Sequence, residues 1–190
     1  VPAIFSRKVN RPVMLRITRY DETALGRARP GFQAQVKIGF RADGRITALD
    51  MYVLGDGGPY GRSGDNMSAG STASLNYTPL SQRHRGVAVY TNTPPKAAQR
   101  GPGGAQIIGM LEPLMDKAAR ELGVDRLDLR RINAPEGDVL FGPRQTGLTS
   151  VHVKEAIDQG AELFGWEERL QRSGQRNGSK VTGIGVGVSP

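Results

Sequence analysis

The chain has 190 residues, enough for one sizeable core or two small lobes. It contains no cysteine, which excludes a disulfide framework, a zinc ribbon and a Cys-ligated iron–sulfur cluster within this stretch. Its net charge of +8, from 26 basic and 18 acidic residues, suits an anionic ligand, an acidic partner subunit or nucleic acid. The basic residues are scattered rather than clustered, which argues against nucleic acid.

The first residues, Pro2 to Asn10, read as the end of a helix that stops before Arg11-Pro12, because the residue before a proline avoids the helical region. Val13, Leu15 and Ile17 then alternate with polar residues, which predicts a strand over 12–19. Val36, Ile38 and Phe40 share parity, Asp43-Gly44 is a turn dipeptide, and Ile46 to Leu54 is β-prone. Together they predict an antiparallel β-hairpin. From Gly55 to Gly86 the chain is rich in Gly, Ser and Asn without apolar periodicity, and reads as a long loop, either functional or disordered. A short strand, Val87 to Tyr90, follows.

Ile107, Ile108, Leu111, Leu114, Met115, Ala118 and Leu122 recur at helical spacing, with Gly123 as C-terminal cap and Pro113 expected to kink or restart the helix. Asp125 caps a second helix through Arg131. Thr149 or Ser150 starts a third, whose Ala156, Ile157, Ala161 and Phe164 read as core. Val181 to Val188 alternates with glycine and predicts a last strand. The fold class is α+β, a β-hairpin-rich lobe followed by a helical segment. No apolar run is long enough to span a membrane, and no leader pattern is visible, so the cytoplasm is expected, with the periplasm as alternative. The abrupt Val1-Pro2 start and the end just after a strand-like run read as an internal piece of a longer chain.

Chemistry concentrates at Gln99-Arg100-Gly101-Pro102-Gly103-Gly104-Ala105-Gln106, which opens directly into the long helix. A helix start has unpaired N–H groups and a partial positive charge. Glycines allow close approach, and an arginine adds a forked donor for phosphate or oxo groups. A tight turn without a ligand is the plainer reading of such a loop. It is neither a Walker loop nor a dinucleotide fingerprint, because no Gly-Lys-Ser/Thr follows and the spacing differs. His84 and His152 are far apart, and no His-rich metal site is expected. His84, between Arg83 and Arg85, reads as a surface residue. Asp56 and Tyr60 lie in a turn sequence and read as structural. Glu112, Asp116 and Glu121 read as helix-surface or packing residues.

The order of several short motifs is specific. Thr91-Asn92-Thr93-Pro94-Pro95 precedes Arg100-Gly101-Pro102-Gly103-Gly104. Then come Glu112-Pro113-Leu114-Met115-Asp116, Glu121-Leu122-Gly123-Val124-Asp125 and Leu129-Arg130-Arg131-Ile132-Asn133-Ala134. Upstream lie Ser6-Arg7-Lys8, Arg11-Pro12-Val13, Thr18-Arg19, Asp43-Gly44-Arg45-Ile46 and Gly55-Asp56-Gly57-Gly58-Pro59-Tyr60. Downstream lie Gly137-Asp138 and Gly165-Trp166. Over nearly its whole length the chain resembles the molybdopterin-binding large subunit of the xanthine dehydrogenase/aldehyde oxidase family of molybdenum hydroxylases.

The resemblance implies a molybdopterin cofactor carrying molybdenum, in its plain or cytosine dinucleotide form, held between lobes of a large chain. Residues 1–104 would end the first molybdopterin-binding lobe, and residues 105–190 would begin the second. Arg100 would be the catalytic residue beside the molybdenum. Gln99, Arg100, Gly101, Gly103, Gly104 and Gln106 would contact the cofactor, and no side chain would ligate the metal. The implied reaction is hydroxylation at carbon of an aldehyde or N-heterocycle with oxygen from water. Electrons would leave through iron–sulfur clusters to FAD on partner domains or subunits.

The departures narrow the substrate. Gln99 and Pro102 stand where xanthine-oxidising members carry aromatics, and the substrate arginine of those members would fall near Ser68 or Ala69. Xanthine is therefore a poor fit. The cysteine of the carbon-monoxide-oxidising branch is absent. The family's Gly-Phe-Gly cofactor motif would precede Val1, and its catalytic glutamate would lie beyond Pro190. Phe141 and Arg144 lie in a loop that could reach a substrate channel. Two rival readings stand beside this one: a basic module binding anions or nucleic acid, and a scaffold that keeps the fold without the cofactor. The fragment alone is expected to be inactive.

Overall fold

A computed structural model describes residues 1–60 and 64–189. A three-stranded sheet is its centre. Strands β1 (Phe32–Phe40) and β2 (Ile46–Gly58) form the expected antiparallel hairpin, with Val36 opposite Met51 and Lys37 opposite Asp50. The Asp43-Gly44 turn works as read from sequence: Gly44 takes φ 85° and the Asp43 carboxylate accepts from Arg45 N–H at 3.0 Å. Strand β3 (Ser81–Tyr90) pairs with β2 in parallel, so the sheet is mixed rather than antiparallel throughout. A parallel pair needs a crossover. Helix α3 (Asp65–Asn76) supplies it, where the sequence reads as a loop.

The reason α3 escapes a periodicity search is its composition. Its inward face is Ala69, Gly70 and Ala73, too small to register as an apolar stripe, yet Ala69 and Ala73 are fully buried. Small residues are what the position needs, because a Cβ at Gly70 would stand 2.6 Å from the His84 ring on β3. His84 is consequently half-buried against α3, its Nε2 2.8 Å from Asn66 O, and not on the surface as its flanking arginines suggest.

The segment 12–18 is also not a strand. It has no regular secondary structure and pairs with no strand, with Leu15 and Ile17 each 63% exposed. Alternation alone gives no strand without an open sheet edge to accept it. Thr18 instead caps helix α2 (Arg19–Leu25) in a capping box with Asp21. Before it, α1 (Pro2–Val9) ends at Asn10 in the left-handed region, as the sequence indicates.

The long helix α4 (Gly104–Leu122) runs through Pro113 without restarting. Pro113 and Gly109 both lie on its exposed side, so the Gly109 carbonyl that loses its donor faces water. Ile107 and Leu111 pack with Leu49, Met51, Val53, Ala69 and Ala73 into one core between α3, α4 and the sheet. Met115 and Ala119 join Ile46, Tyr77 and Leu129 in a second. Helix α5 (Arg126–Asn133) is capped by Asp125, whose carboxylate accepts from Leu127 N–H at 2.7 Å.

The C-terminal part is less regular. Short pairs β4 (Leu140–Phe141) with β5 (Thr146–Gly147) and β6 (Arg176–Asn177) with β7 (Lys180–Val181) flank α6 (Val153–Phe164) and α7 (Trp166–Arg172). Helix α6 starts at Val153 with His152 as N-cap, later than Thr149 or Ser150. Of its apolar stripe only Ile157 is buried. Ala161 packs half-buried against the same cluster as Ile157, whereas Ala156 and Phe164 line an open groove that residues 185–189 also line. Of the expected strand 181–188, only Val181 pairs. The rest is extended, with Ile184, Val186 and Val188 against Trp166 and Ile157.

A buried polar network binds these parts. Arg130 has no exposed surface. Its Nε donates to Glu112 Oε2 at 2.8 Å and its Nη1 to Arg126 O at 2.9 Å, while Nη2 donates to Glu112 O at 3.2 Å. Asp116 Oδ1 lies 2.8 Å from Nη2, close enough for ionic attraction but outside hydrogen-bonding angles. Tyr77 donates its hydroxyl to Glu112, and Val188 N–H donates to the same carboxylate at 3.2 Å. Burial is the largest single effect and opposes the Arg130 charge, but Glu112, Tyr77 and Asp116 together outweigh it, and the guanidinium is held above its ordinary value. Burial first, then the Glu112 charge, push the Tyr77 phenol well above its ordinary 10.0.

Glu112→Leu leaves the Arg130 charge buried without its main partner and should cost about 3–5 kcal/mol in denaturant unfolding of the full-length protein. Because the folded phenol keeps its proton to higher pH than the unfolded one, the contribution of Tyr77 is whole below pH 10.0 and declines as pH rises above it. Tyr77→Phe should flatten that alkaline decline, measured as unfolding midpoint against pH.

Candidate cofactor-binding site

The loop 91–103 runs from the end of β3 into α4 and is held at both ends. At its start, Asp56 at the end of β2 accepts hydroxyl hydrogen bonds from Thr91 and from Thr93, the latter at 2.8 and 2.9 Å. It also accepts from Gly58 N–H at 3.1 Å, and Lys96 Nζ lies 3.1 Å from Oδ2. These hydrogen bonds, that from Thr91 foremost, outweigh burial and hold the Asp56 carboxyl far below the usual carboxylate range. Asp56 is thus the structural anchor the sequence suggests. Tyr60 beside it is 70% exposed.

The middle of the loop is clamped by 27–30, a segment no motif pointed to. Ala28 N–H donates to Pro95 O at 2.9 Å and Ala97 N–H to Ala28 O at 3.2 Å. Arg29 donates to Gly101 O at 3.2 Å, to Arg100 O and to Gln106 Oε1 at 3.3 Å. Gln106 Nε2 donates to Pro30 O at 3.0 Å, and Gln99 Nε2 to Arg27 O at 2.9 Å. The side-chain amides of Gln99 and Gln106 therefore hold the loop in shape.

The glycines divide into two kinds. Gly103 has φ 72°, and a Cβ there would meet Asp65 O at 2.1 Å; one on Gly104 would meet Thr72 at 3.3 Å. Both are buried, and both let α4 start directly against the first turns of α3. Gly101, at φ 67°, is exposed, and a Cβ there would meet nothing closer than 3.9 Å. Arg100 is exposed too, and among the described residues its guanidinium has neither a hydrogen bond nor an ion pair. Helix α4 has no side-chain N-cap and no acid in its first turn. An exposed, uncommitted guanidinium beside an uncapped helix start is the donor set of an anion cradle.

Against this loop lies a cavity of about 680 Å³, lined by Arg27, Tyr60, Asp65, Ser68, Lys96 and Pro102 among others. Asp65 is 2% exposed, and its Oδ2 is buried with no hydrogen-bond partner among the described residues. Sequence reasoning missed Asp65 because it missed α3. Ser68 sits one turn along that helix and half-buried, while Ala69 is fully buried in the core. Arg144 is exposed, and Phe141 pairs with Thr146; neither lines this cavity. Among the described residues no cluster of three His, Cys, Asp or Glu gathers for a metal, and no helix is long and apolar enough to cross a membrane.

A mixed sheet with two helices on one face thus carries a glycine-rich helix start close to a cavity of mixed polar and apolar lining. Residues 1–134 match the model of the molybdopterin cofactor-binding domain, and the chain belongs to that family. It is 29% identical to the xanthine dehydrogenase molybdenum-binding subunit of Escherichia coli O157:H7, over 92% of the chain and 24% of that protein. It is likewise 29% identical to the aldehyde oxidoreductase molybdenum-binding subunit of Escherichia coli (strain K12), over 97% of the chain and 25% of that protein. The chain thus spans about a quarter of the length of these relatives. Among solved structures, the aldehyde oxidoreductase of Desulfovibrio gigas superposes with a TM-score of 0.73 at 28% identity, over 90% of the chain and 19% of that protein. Quinoline 2-oxidoreductase from Pseudomonas putida 86 gives 0.74 at 26% identity, over 90% and 22%.

The two kinds of glycine should separate in thermal unfolding of the full-length protein. Gly101→Ala should cost about 1 kcal/mol, from its positive φ alone. Gly103→Ala adds a backbone collision and should cost about 2–4 kcal/mol. Asp56→Asn should remove stability at neutral pH. In the parent protein the Asp56 contribution is present above the ordinary carboxylate value and is lost as pH falls below it, so the two proteins should converge in acid.

Proposed function

We propose that this chain is part of the large catalytic subunit of a molybdenum hydroxylase and that the Arg100 loop borders its cofactor. The observation that carries the reading is the exposed, uncommitted Arg100 guanidinium at the uncapped start of α4, beside a cavity of about 680 Å³. The residues present fit an oxo- and phosphate-bearing group: Gly101 leaves its N–H open to close approach, and Arg100 offers two donors in one plane. Arg100 is the residue proposed to touch the reacting centre. Gly101, Gly103 and Gly104 give the loop and helix start their shape, and Gln99 and Gln106 fix them from behind. When bound, a molybdopterin cofactor would supply the redox chemistry of carbon hydroxylation with oxygen from water.

What the chain's own residues do is narrower. Arg100 would orient and stabilise negative charge at the cofactor, Pro102 and Ala97–Ala98 would wall the substrate space, and the Arg29 clamp would keep the loop from collapsing. The proposed substrate is an aldehyde or an N-heterocycle. Electrons would pass to iron–sulfur and flavin partners, and the cofactor would be plain molybdopterin or its cytosine dinucleotide form. The boundary between a first lobe, 1–104, and a second, 105–190, is placed at the loop for the same reason: cofactor sites lie where chain segments meet. Whether the compartment is cytoplasm or periplasm follows from the parent protein, and the cytoplasm is proposed.

Full-length protein purified with its neighbouring subunits from a host that makes the cofactor should contain near-stoichiometric molybdenum and an oxidised-pterin fluorescence signal. A folded, assembled protein with neither is a scaffold, and the proposal falls. Arg100→Ala should lower turnover by about 10- to 100-fold, the value of one charge-assisted hydrogen bond, with Arg100→Lys recovering part of it.

A further inference from the structure

The cavity beside the Arg100 loop has three charged residues in its lining among the described residues: Arg27, Asp65 and Lys96. Two of them present almost nothing to a ligand. Asp65 is 2% exposed, and the Lys96 side chain is 8% exposed with its Nζ 3.1 Å from Asp56. Arg27 differs. It is exposed, and among the described residues its guanidinium has neither a hydrogen bond nor an ion pair. Its backbone is nonetheless fixed. Arg27 O accepts from Gln99 Nε2 at 2.9 Å, next to Arg100 in the chain, and the following Ala28 N–H donates to Pro95 O at 2.9 Å. A long cationic side chain is thus rooted against the loop that walls the cavity. Most of the remaining lining is apolar: Leu25, Pro95, Ala97, Ala98 and Pro102. Leu25, at the end of α2, is 78% exposed. An accessible, unneutralised guanidinium among apolar walls suits an anion carried on an apolar body.

We infer that Arg27 binds a carboxylate carried by the substrate, so that the cavity selects an aromatic ring bearing a carboxylate over its neutral counterpart. This rests on the cavity being the substrate space of the proposed hydroxylase. The chemistry follows from the donor. A guanidinium presents parallel N–H groups in one plane, and a carboxylate presents two oxygens that match them. An ester or amide of the same ring fills the same apolar space but carries no charge, and so gains little from Arg27. Lysine at this position would keep the charge and lose the fork, which makes it a partial substitute. A cofactor phosphate shares this chemistry, but the apolar walls beside Arg27 suit a ring better than a phosphate tail.

The test uses the full-length holoenzyme with its partner subunits, as wild type, Arg27→Gln and Arg27→Lys. Molybdenum and pterin content are measured on each preparation. The binding probes are benzoate and benzamide, which differ in charge and are compared by calorimetric Kd. The turnover probes are 4-formylbenzoate and its methyl ester, compared by the ratio of their kcat/KM values. Wild type should bind benzoate more tightly than benzamide. Arg27→Gln should weaken benzoate by about 10- to 100-fold and leave benzamide unmoved, with Arg27→Lys in between. The turnover ratio should fall in the same order. A benzoate Kd within about threefold of wild type in a fully loaded Arg27→Gln enzyme overturns the inference. So does a loaded wild type that binds benzamide as tightly as benzoate. A benzoate effect with no change in the turnover ratio places the anion outside the substrate space and overturns it too. Loss of molybdenum and pterin in Arg27→Gln alone assigns the residue to the cofactor and overturns the substrate role. A wild-type preparation without molybdenum removes the proposed function, and this inference with it.

Discussion

A fully buried arginine is the constraint around which the rest is arranged. The Arg130 guanidinium cannot reach water, so each of its donors has to find an acceptor inside the protein. The acceptors are the Glu112 carboxylate and carbonyl on α4 and the Arg126 carbonyl on α5, with the Asp116 carboxylate adding ionic attraction. Glu112 in turn takes hydrogen bonds from Tyr77 at the end of α3 and from Val188 near the C-terminal end. One charge therefore fixes α3, α4, α5 and the last extended segment relative to one another. Asn133 does the same on the sheet side. Its Oδ1 accepts from Ile46 N–H at 2.8 Å, while its Nδ2 donates to Gly44 O at 2.8 Å and Leu129 O at 2.9 Å. A removable hydrophobic contact would let these elements slide; a buried directional network does not.

The consequence reaches the loop. With α4 fixed at its middle by Glu112, its first turn is set against α3, and the meeting is so close that only glycine fits at 103. That contact fixes where α4 begins, while Pro102 just before it and Asp65 on α3 lie on the cavity wall. The Asp56–Thr91–Thr93–Lys96 cluster and the Arg29 clamp then hold the remaining loop without regular secondary structure. Loop residues that carry chemistry need such support, because a loop alone pays the conformational entropy of every fixed residue. Most of the polar side chains around Arg100 are thus engaged in holding the loop, which leaves its own guanidinium available.

Family membership was legible in the order of short motifs. The local physics was legible too: the hairpin came from parity and an Asp-Gly turn, α4 from its spacing, and Gly123 and Asp125 from cap chemistry. The sequence was less informative where structure depends on what lies across space. Val13, Leu15 and Ile17 alternate as a strand does, yet no sheet edge accepts them. Helix α3 has no stripe because its neighbours leave no room for side chains. Glu112 and Asp116 looked like ordinary helix residues, but the partner that draws Glu112 into the core is 18 positions away.

What the amino-acid order determined by itself was local: turn residues with positive φ, capping carboxylates, apolar spacing along α4, and a glycine-rich run ahead of a helix. These depend on interactions within a few residues, which any reading of adjacent positions can follow. What only the tertiary structure decided was which polar groups are satisfied. Gln99, Gln106 and Asp56 are engaged by groups tens of residues distant, whereas Asp65 Oδ2 is left without a donor among the described residues. Hydrogen-bond satisfaction is a property of three-dimensional surroundings. In sequence an anchoring amide and a ligand-binding one look alike, and only packing tells them apart.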